Sequence, residues 1–199
     1  MKQIDWLFFD IGSTLVNEEK AYQDRIKQAL ADTNISYAAF YQTMIHYFME
    51  NKKGDVEALK YYGLKCPSWK SDLETLYPGC KHVLKTLHSH YKIGILANQL
   101  PNLLARLRNF GIDSYIDLII SSADVGLAKL NLAIFKLALQ QANCSAEHAV
   151  MIGDHLDNDI LPAKQLGMRT IWIRQGFSRL THITNPAETP DWTVDNWQK

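Results

Sequence analysis

A chain of 199 residues, 47% of them hydrophobic, is long enough for one sizeable core and a small second unit. Its 21 Lys and Arg balance its 21 Asp and Glu, which argues against a nucleic-acid partner. Cys66, Cys80 and Cys144 form neither a CxxC pair nor an even disulfide framework, and the opening apolar run is too short for a signal peptide or a membrane span, so a soluble cytoplasmic protein is expected.

The first element is the apolar run from Ile4 to Phe9, which predicts a buried parallel strand. It stops at Asp10 and passes into the small-residue loop IGST. Ligands of open α/β sheets gather at the carboxyl ends of strands, so Asp10 is a candidate site residue. An acid that only accepts backbone hydrogen bonds is the plainer alternative. Residues 17–77 then read as helices: EEKAYQDRIKQALADT, SYAAFYQTMIHYFMEN, DVEALKYYG and WKSDLETLY. Ile26, Ala29, Leu30 and Thr33 keep a helical period, as do Phe40, Met44, Tyr47 and Phe48. A structureless loop of roughly 60 residues would be exceptional. The division expected is a helical cap over 17–77 inserted into a core of 1–16 and 78–199, with Pro78 and Gly79 marking the return.

Beyond Pro78, helices and strands alternate. A helix over 83–90 precedes a strand at 92–97, and a helix over 100–111 closes on Gly111 before a strand at 118–121. Asn131 caps a helix over 131–142, followed by a strand at 149–153, a helix over 157–167, a strand at 170–173 and a short strand at 192–194. This alternation predicts an α/β fold with a doubly wound parallel sheet.

Asp154 ends a second strand. If that strand neighbours the first, Asp154 and Asp10 converge and raise each other's pKa unless a cation intervenes. Carboxylate and carbonyl oxygens with room for water suit Mg²⁺. Lys129, beyond the strand at 118–121, has the reach to hold an anion there or to lock the aspartates in place.

In this order and spacing, FFDIGSTL, ILAN, ADVGLAK and MIGDHLDNDILPAKQLGM resemble the haloacid dehalogenase superfamily, in its phosphatase branch with a helical cap after the first strand. The resemblance covers nearly the whole chain. It implies a sheet whose first strand is flanked by the second and fourth. It implies that Asp10 attacks phosphorus and becomes an aspartyl-phosphate, and that Lys129 neutralises the transferred group. It assigns Mg²⁺ to Asp10, the Gly12 carbonyl, Asp154 and Asp159. Thr14 steadies the loop, while Asn98 and His155 are candidates for the phosphate and substrate loops. Asp157 matches no required position and is expected in solvent. The function implied is a Mg²⁺-dependent phosphatase acting on a small phosphorylated metabolite, with neither nucleic acid nor membrane as partner.

Three residues depart from the pattern. Gly12 stands where active phosphatases of the family carry a second Asp that protonates the leaving group and later activates water, work worth about 10²–10⁴-fold. Ala97 replaces a Ser or Thr, and Leu130 replaces a proline. The alternatives are therefore a catalytically degenerate anion- or partner-binding member, a dehalogenase-like enzyme, or a phosphonatase-like enzyme using a cap lysine among Lys20, Lys27, Lys52, Lys53 and Lys60. His155 is the candidate for the missing proton donor. Gly12 itself is read as a tight-turn glycine whose backbone resists an aspartate. His46, His88, His90, Arg174 and Arg179 default to packing or surface roles, Trp172 to the core, and 176–182 to the mouth of the pocket.

Overall fold

The computed structural model describes residues 3–198. Its strands are β1 (Trp6–Phe9), β2 (Val16–Asn17), β3 (Thr75–Leu76), β4 (Lys92–Ala97), β5 (Leu118–Ser121), β6 (Ala149–Gly153), β7 (Arg169–Ile173) and β8 (Trp192–Val194). Six of them form one sheet in the order β5-β4-β1-β6-β7-β8, and every pairing in it is parallel. Phe9, the last residue of β1, lies opposite Ile95 of β4 and Ile152 of β6. The expected central position of the first strand is therefore observed, and Asp10 leaves the sheet between two neighbouring strand ends.

Side chains of β1 alternate between two cores, as the pleat requires. Leu7 and Phe9 pack with Ile93, Ile95, Val150 and Ile152, under α4 (Cys80–His88) and α5 (Leu103–Phe110). Phe8 points the other way, onto Leu96, Met151, Ile134 and Phe135, the last two from α6 (Leu132–Gln141). Asn131 caps α6 by accepting a hydrogen bond from the Ala133 N–H, and Gly111 ends α5 at φ 66°, both as the sequence indicated.

Three helices, α1 (Glu19–Leu30), α2 (Tyr37–Met49) and α3 (Gly54–Tyr61), follow β2 and share their own apolar cluster of Ile26, Phe40, Met44, Phe48, Ala58 and Leu59. The fourth helix expected there, WKSDLETLY, is not formed. Ser71–Leu73 makes a single 3-10 turn and Thr75–Leu76 is strand β3. Val16 and Asn17 supply the pairing edge, opposite Leu76 and Thr75. The antiparallel pair brings the chain's exit from the core beside its return, and a ladder with residues some 60 positions away is invisible to a local helical period.

A Cβ at Gly94, in β4, would lie 2.5 Å from Cδ1 of the Phe8 ring. Phe8 is fully buried, so the ring has no free space to retreat into. Gly94→Ala should lower stability by about 1–3 kcal/mol in urea titration.

Candidate active site

The loop after β1 is held by its own backbone. The Leu15 and Val16 N–H groups both donate to the Ile11 carbonyl, and the Ser13 N–H donates to the Val16 carbonyl. Ser13 takes φ 53°, the left-handed value that closes this turn. The Thr14 carbonyl accepts from Gln175 Nε2 at 2.9 Å and from Trp197 Nε1 at 2.8 Å, which fixes the loop to the core. Thr14 itself is buried, and its hydroxyl donates to Asp154 Oδ1 at 3.4 Å.

Asp10, Lys129 and Asp159 meet at the carboxyl end of the sheet. Lys129 Nζ donates to Asp10 Oδ1 and, at 2.6 Å, to Asp159 Oδ1. Its ammonium is almost wholly shielded from solvent. Burial works against that charge, but Asp10 and Asp159 outweigh it and raise the Lys129 pKa. Asn98 reaches the same residue from behind, accepting the Lys129 backbone N–H at 2.7 Å. Asn98 thus sets the lysine in place. The next residue, Leu130, has φ 82°, a value closed to the proline of the motif.

Asp159 comes from a wide helical turn, Leu156–Ile160, and folds back over the end of β6. Its second oxygen accepts the His155 N–H at 3.0 Å. A Cβ at Gly153 would sit 2.3 Å from that oxygen, so only glycine leaves room for it. Asp154 is buried, and Trp172 Nε1 donates to its carbonyl at 2.8 Å. Oxygens of Asp10, Asp154 and Asp159 all lie within 4.8 Å of one another. Burial is the main force raising the pKa values of Asp10 and Asp154 above the carboxylate range. Asp10, Asp154, Asp159 and the neighbouring Asp157 outnumber the cations Lys129 and His155, and the oxygens that converge are all carboxylate. These residues fit a hard divalent cation.

His155 lines the cavity above this floor, between Asp154 (3.9 Å) and Asp157 (3.6 Å). Burial opposes its protonation, but Asp154 first, then Asp157 and Asp159, carry its pKa up to about 10. Asp157 is therefore not the free solvated acid expected. It is half-buried and faces the imidazole.

The cavity has a volume of about 430 Å³ and lies between the carboxyl end of the sheet and the inserted helices. Phe177 and Ser178 of the 176–182 segment line it, as expected, whereas Arg174 and Arg179 do not. Phe177 stacks on Phe48 at 4.2 Å between ring centroids, joining core and inserted helices. Opposite, Arg25 pairs with Asp55 at 2.6 Å and lies over the Trp69 ring. Trp69 Nε1 donates to Glu74, whose other oxygen is bound by Arg106 of α5. His46 pairs with Glu50, and His88 with Asp117, both away from the site.

Two residues of the site carried no signal in the sequence. Ser122 hydroxyl accepts the Gln99 N–H at 3.1 Å and lines the cavity, near the strand end where Ala97 lacks a hydroxyl. Glu18 reaches back over Gly12: a Cβ at Gly12 would lie 2.8 Å from Glu18 Oε1 and 3.0 Å from Oε2. Burial, reinforced by Asp154, Glu74 and Asp10, pushes the Glu18 pKa up to about 8. The Gly12 backbone is not in the left-handed region, so the obstacle to an aspartate there is Glu18 and not the dihedral expected.

A family model of haloacid dehalogenase-like hydrolases matches residues 4–167, and the chain belongs to that family of enzymes. Among its relatives, pyrimidine 5'-nucleotidase YjjG of Escherichia coli K12 is 28% identical over an alignment covering 96% of this chain and 94% of that protein. Glyceraldehyde 3-phosphate phosphatase of Pyrococcus abyssi is 28% identical over 85% of this chain and 81% of its own length. The crystal structure of a HAD phosphatase from Thermococcus onnurineus superposes with a TM-score of 0.67 at 22% identity, covering 98% of this chain and 94% of that one. Among the described residues no helix is long and apolar enough to cross a membrane.

Because the Glu18 carboxyl fills the space beside Gly12, their substitutions should be coupled. Gly12→Asp alone should cost about 1–3 kcal/mol through overpacking against the Glu18 carboxyl. In a Glu18→Ala background most of that cost should vanish, a coupling of about 1 kcal/mol or more in a double-mutant cycle read by urea titration.

Proposed function

We propose that this protein is a Mg²⁺-dependent phosphatase that hydrolyses a small phosphorylated metabolite through an aspartyl-phosphate at Asp10. The observation that carries this reading is the buried Lys129 ammonium bonded to Asp10 and Asp159, with Asp154 beside them at the floor of a cavity. Residues 17–77 act in it as a cap. YjjG and the glyceraldehyde 3-phosphate phosphatases, by their names, act on small phosphorylated compounds, which supports the substrate class.

In this mechanism Asp10 attacks phosphorus in line with the leaving oxygen, and water later attacks the same phosphorus to release Asp10. Splitting the transfer in two makes each step easier. Lys129 neutralises Asp10 in the resting site and the phosphoryl oxygens during transfer, and it is already in place when substrate arrives. Asp159 holds Lys129 from the other side, and Asn98 anchors its backbone. Mg²⁺ bound by Asp10, the Gly12 carbonyl, Asp154 and Asp159 would offset further negative charge on the phosphoryl group. Trp69, Tyr22, Phe48 and Phe177 line the cavity and limit bulk water. Of the cap lysines, Lys52 and Lys53 reach the rim but are exposed, and Lys52 pairs with Glu50, which gives no support to a Schiff-base role.

Two measurements test this. Asp10→Asn should abolish phosphate release while its melting temperature stays near the parent's. Mg²⁺ at about a hundredfold excess over its dissociation constant should stabilise the protein by about 2.7 kcal/mol. Calorimetry should find that gain missing in Asp154→Asn. Mg²⁺ with no effect on the parent, or full phosphatase activity in Asp10→Asn, would refute the reading.

A further inference from the structure

We propose that Glu18 is the proton donor and acceptor of the phosphoryl transfer, delivering from six residues downstream the carboxyl that position 12 lacks. The inference rests on the phosphatase reading above and adds a catalytic residue to it.

A side chain grown on Gly12 would run directly into the Glu18 carboxyl, with Oε1, Oε2 and Cδ at 2.8, 3.0 and 3.1 Å from its first carbon. The space that a residue at position 12 would fill is thus occupied by an acid. The loop delivers it there. Gly12 bridges to Val16, so the chain doubles back over five residues, and Glu18 follows two positions later. Ser13 Oγ donates to Glu18 Oε2 at 3.2 Å and holds the carboxyl toward the loop. Asp10, Gly12, Glu18 and Lys129 line one cavity.

Elimination points the same way. Six acids line that cavity. Asp10 and Asp159 are held by Lys129, Asp55 by Arg25, and Glu74 by Arg106 and Trp69. Asp154 accepts from Thr14 and faces His155. Among the described residues Glu18 has no cationic partner, and Oε1 accepts no hydrogen bond. Among the described residues it is the one acid of the six that no lysine, arginine or histidine pairs. His155, the donor expected from sequence, is held between two carboxylates.

The proton balance closes. As the Asp10 oxygen bonds to phosphorus and the ester P–O bond breaks, the Glu18 carboxylic acid gives its proton to the leaving alkoxide oxygen, producing the alcohol. The Glu18 carboxylate then takes a proton from the water that attacks the aspartyl-phosphate. The Asp10–phosphorus bond breaks, phosphate leaves, and both carboxyl groups return to their starting forms.

The test compares two substrates whose leaving groups differ in their need for a proton, p-nitrophenyl phosphate and butyl phosphate, with Mg²⁺ present. In Glu18→Gln the single-turnover rate with butyl phosphate should fall by about 10²–10⁴-fold. The p-nitrophenolate burst should keep its rate within about fivefold, because that leaving group departs unprotonated. Trapped phosphoenzyme should accumulate, since its hydrolysis loses the base. A butyl phosphate rate within about threefold of the parent's overturns the proposal. So does an equal loss on both substrates, which is what a packing defect would give. Asp10→Asn separates the two levels. If it still gives a burst, or if the parent turns over neither substrate, the phosphatase reading falls and takes this inference with it. If Asp10→Asn is silent while Glu18→Gln matches the parent, only the role of Glu18 falls.

Discussion

The structure depends on a single buried ammonium. Lys129 is bonded to Asp10 and Asp159, and both its own charge and that of Asp159 are almost wholly out of solvent. Removing one partner of such a group strands a charge at a cost of about 3–5 kcal/mol. The arrangement therefore holds only if the loop after β1, the segment after β5 and the turn after β6 arrive together. The central position of β1 makes that possible, because its neighbours β4 and β6 end beside Asp10. An acidic cluster kept together by one lysine is also an unbalanced one. The residual negative charge suits a cation, and the lysine keeps the Asp10 carboxyl oriented.

Space around the cluster is allotted by two glycines that act differently. Gly153 lets the Asp159 carboxylate lie against the end of β6, where any Cβ would collide with it. Gly12 gives its space to a side chain from elsewhere, that of Glu18. The first glycine makes room for a residue the motif already includes. The second makes room for one it does not. The space beside a motif position and the residue at that position are thus separate matters, because a carboxyl is placed by where its oxygens lie and not by the position that carries it.

The inserted helices are tied to the core by aromatic and charged contacts at opposite sides of the cavity. Phe177 of the core stacks on Phe48 and meets Tyr22 edge-on, joining the cluster of the inserted helices. Across the cavity Arg25, Trp69, Glu74 and Arg106 form a chain from the first inserted helix to α5. The β2–β3 ribbon joins the chain's way out to its way back. Movement of these helices against the sheet would have to break paired charges or separate stacked rings.

Periodicity and punctuation determined the α/β alternation, the inserted helices, the caps at Asn131 and Gly111, and the candidates Asp10, Lys129 and Asp154, while Asp159 came only from the family resemblance of MIGDHLDNDI. These are legible because each is written in neighbouring residues: a strand that ends on an acid, a helical repeat, a cap beside its helix. The tertiary structure decided what depends on distance through space. It made a strand of Thr75–Leu76 because Val16–Asn17 lay alongside. It turned Asp157 toward His155, and it set the Glu18 carboxyl over Gly12. In the sequence Glu18 is one of two glutamates opening a helix, with nothing to mark it. Only when the loop doubles back, with Ser13 in a left-handed turn, does that carboxyl enter the space left by a residue six positions earlier, because local pattern reports which elements form and not where a flexible side chain finds room among them.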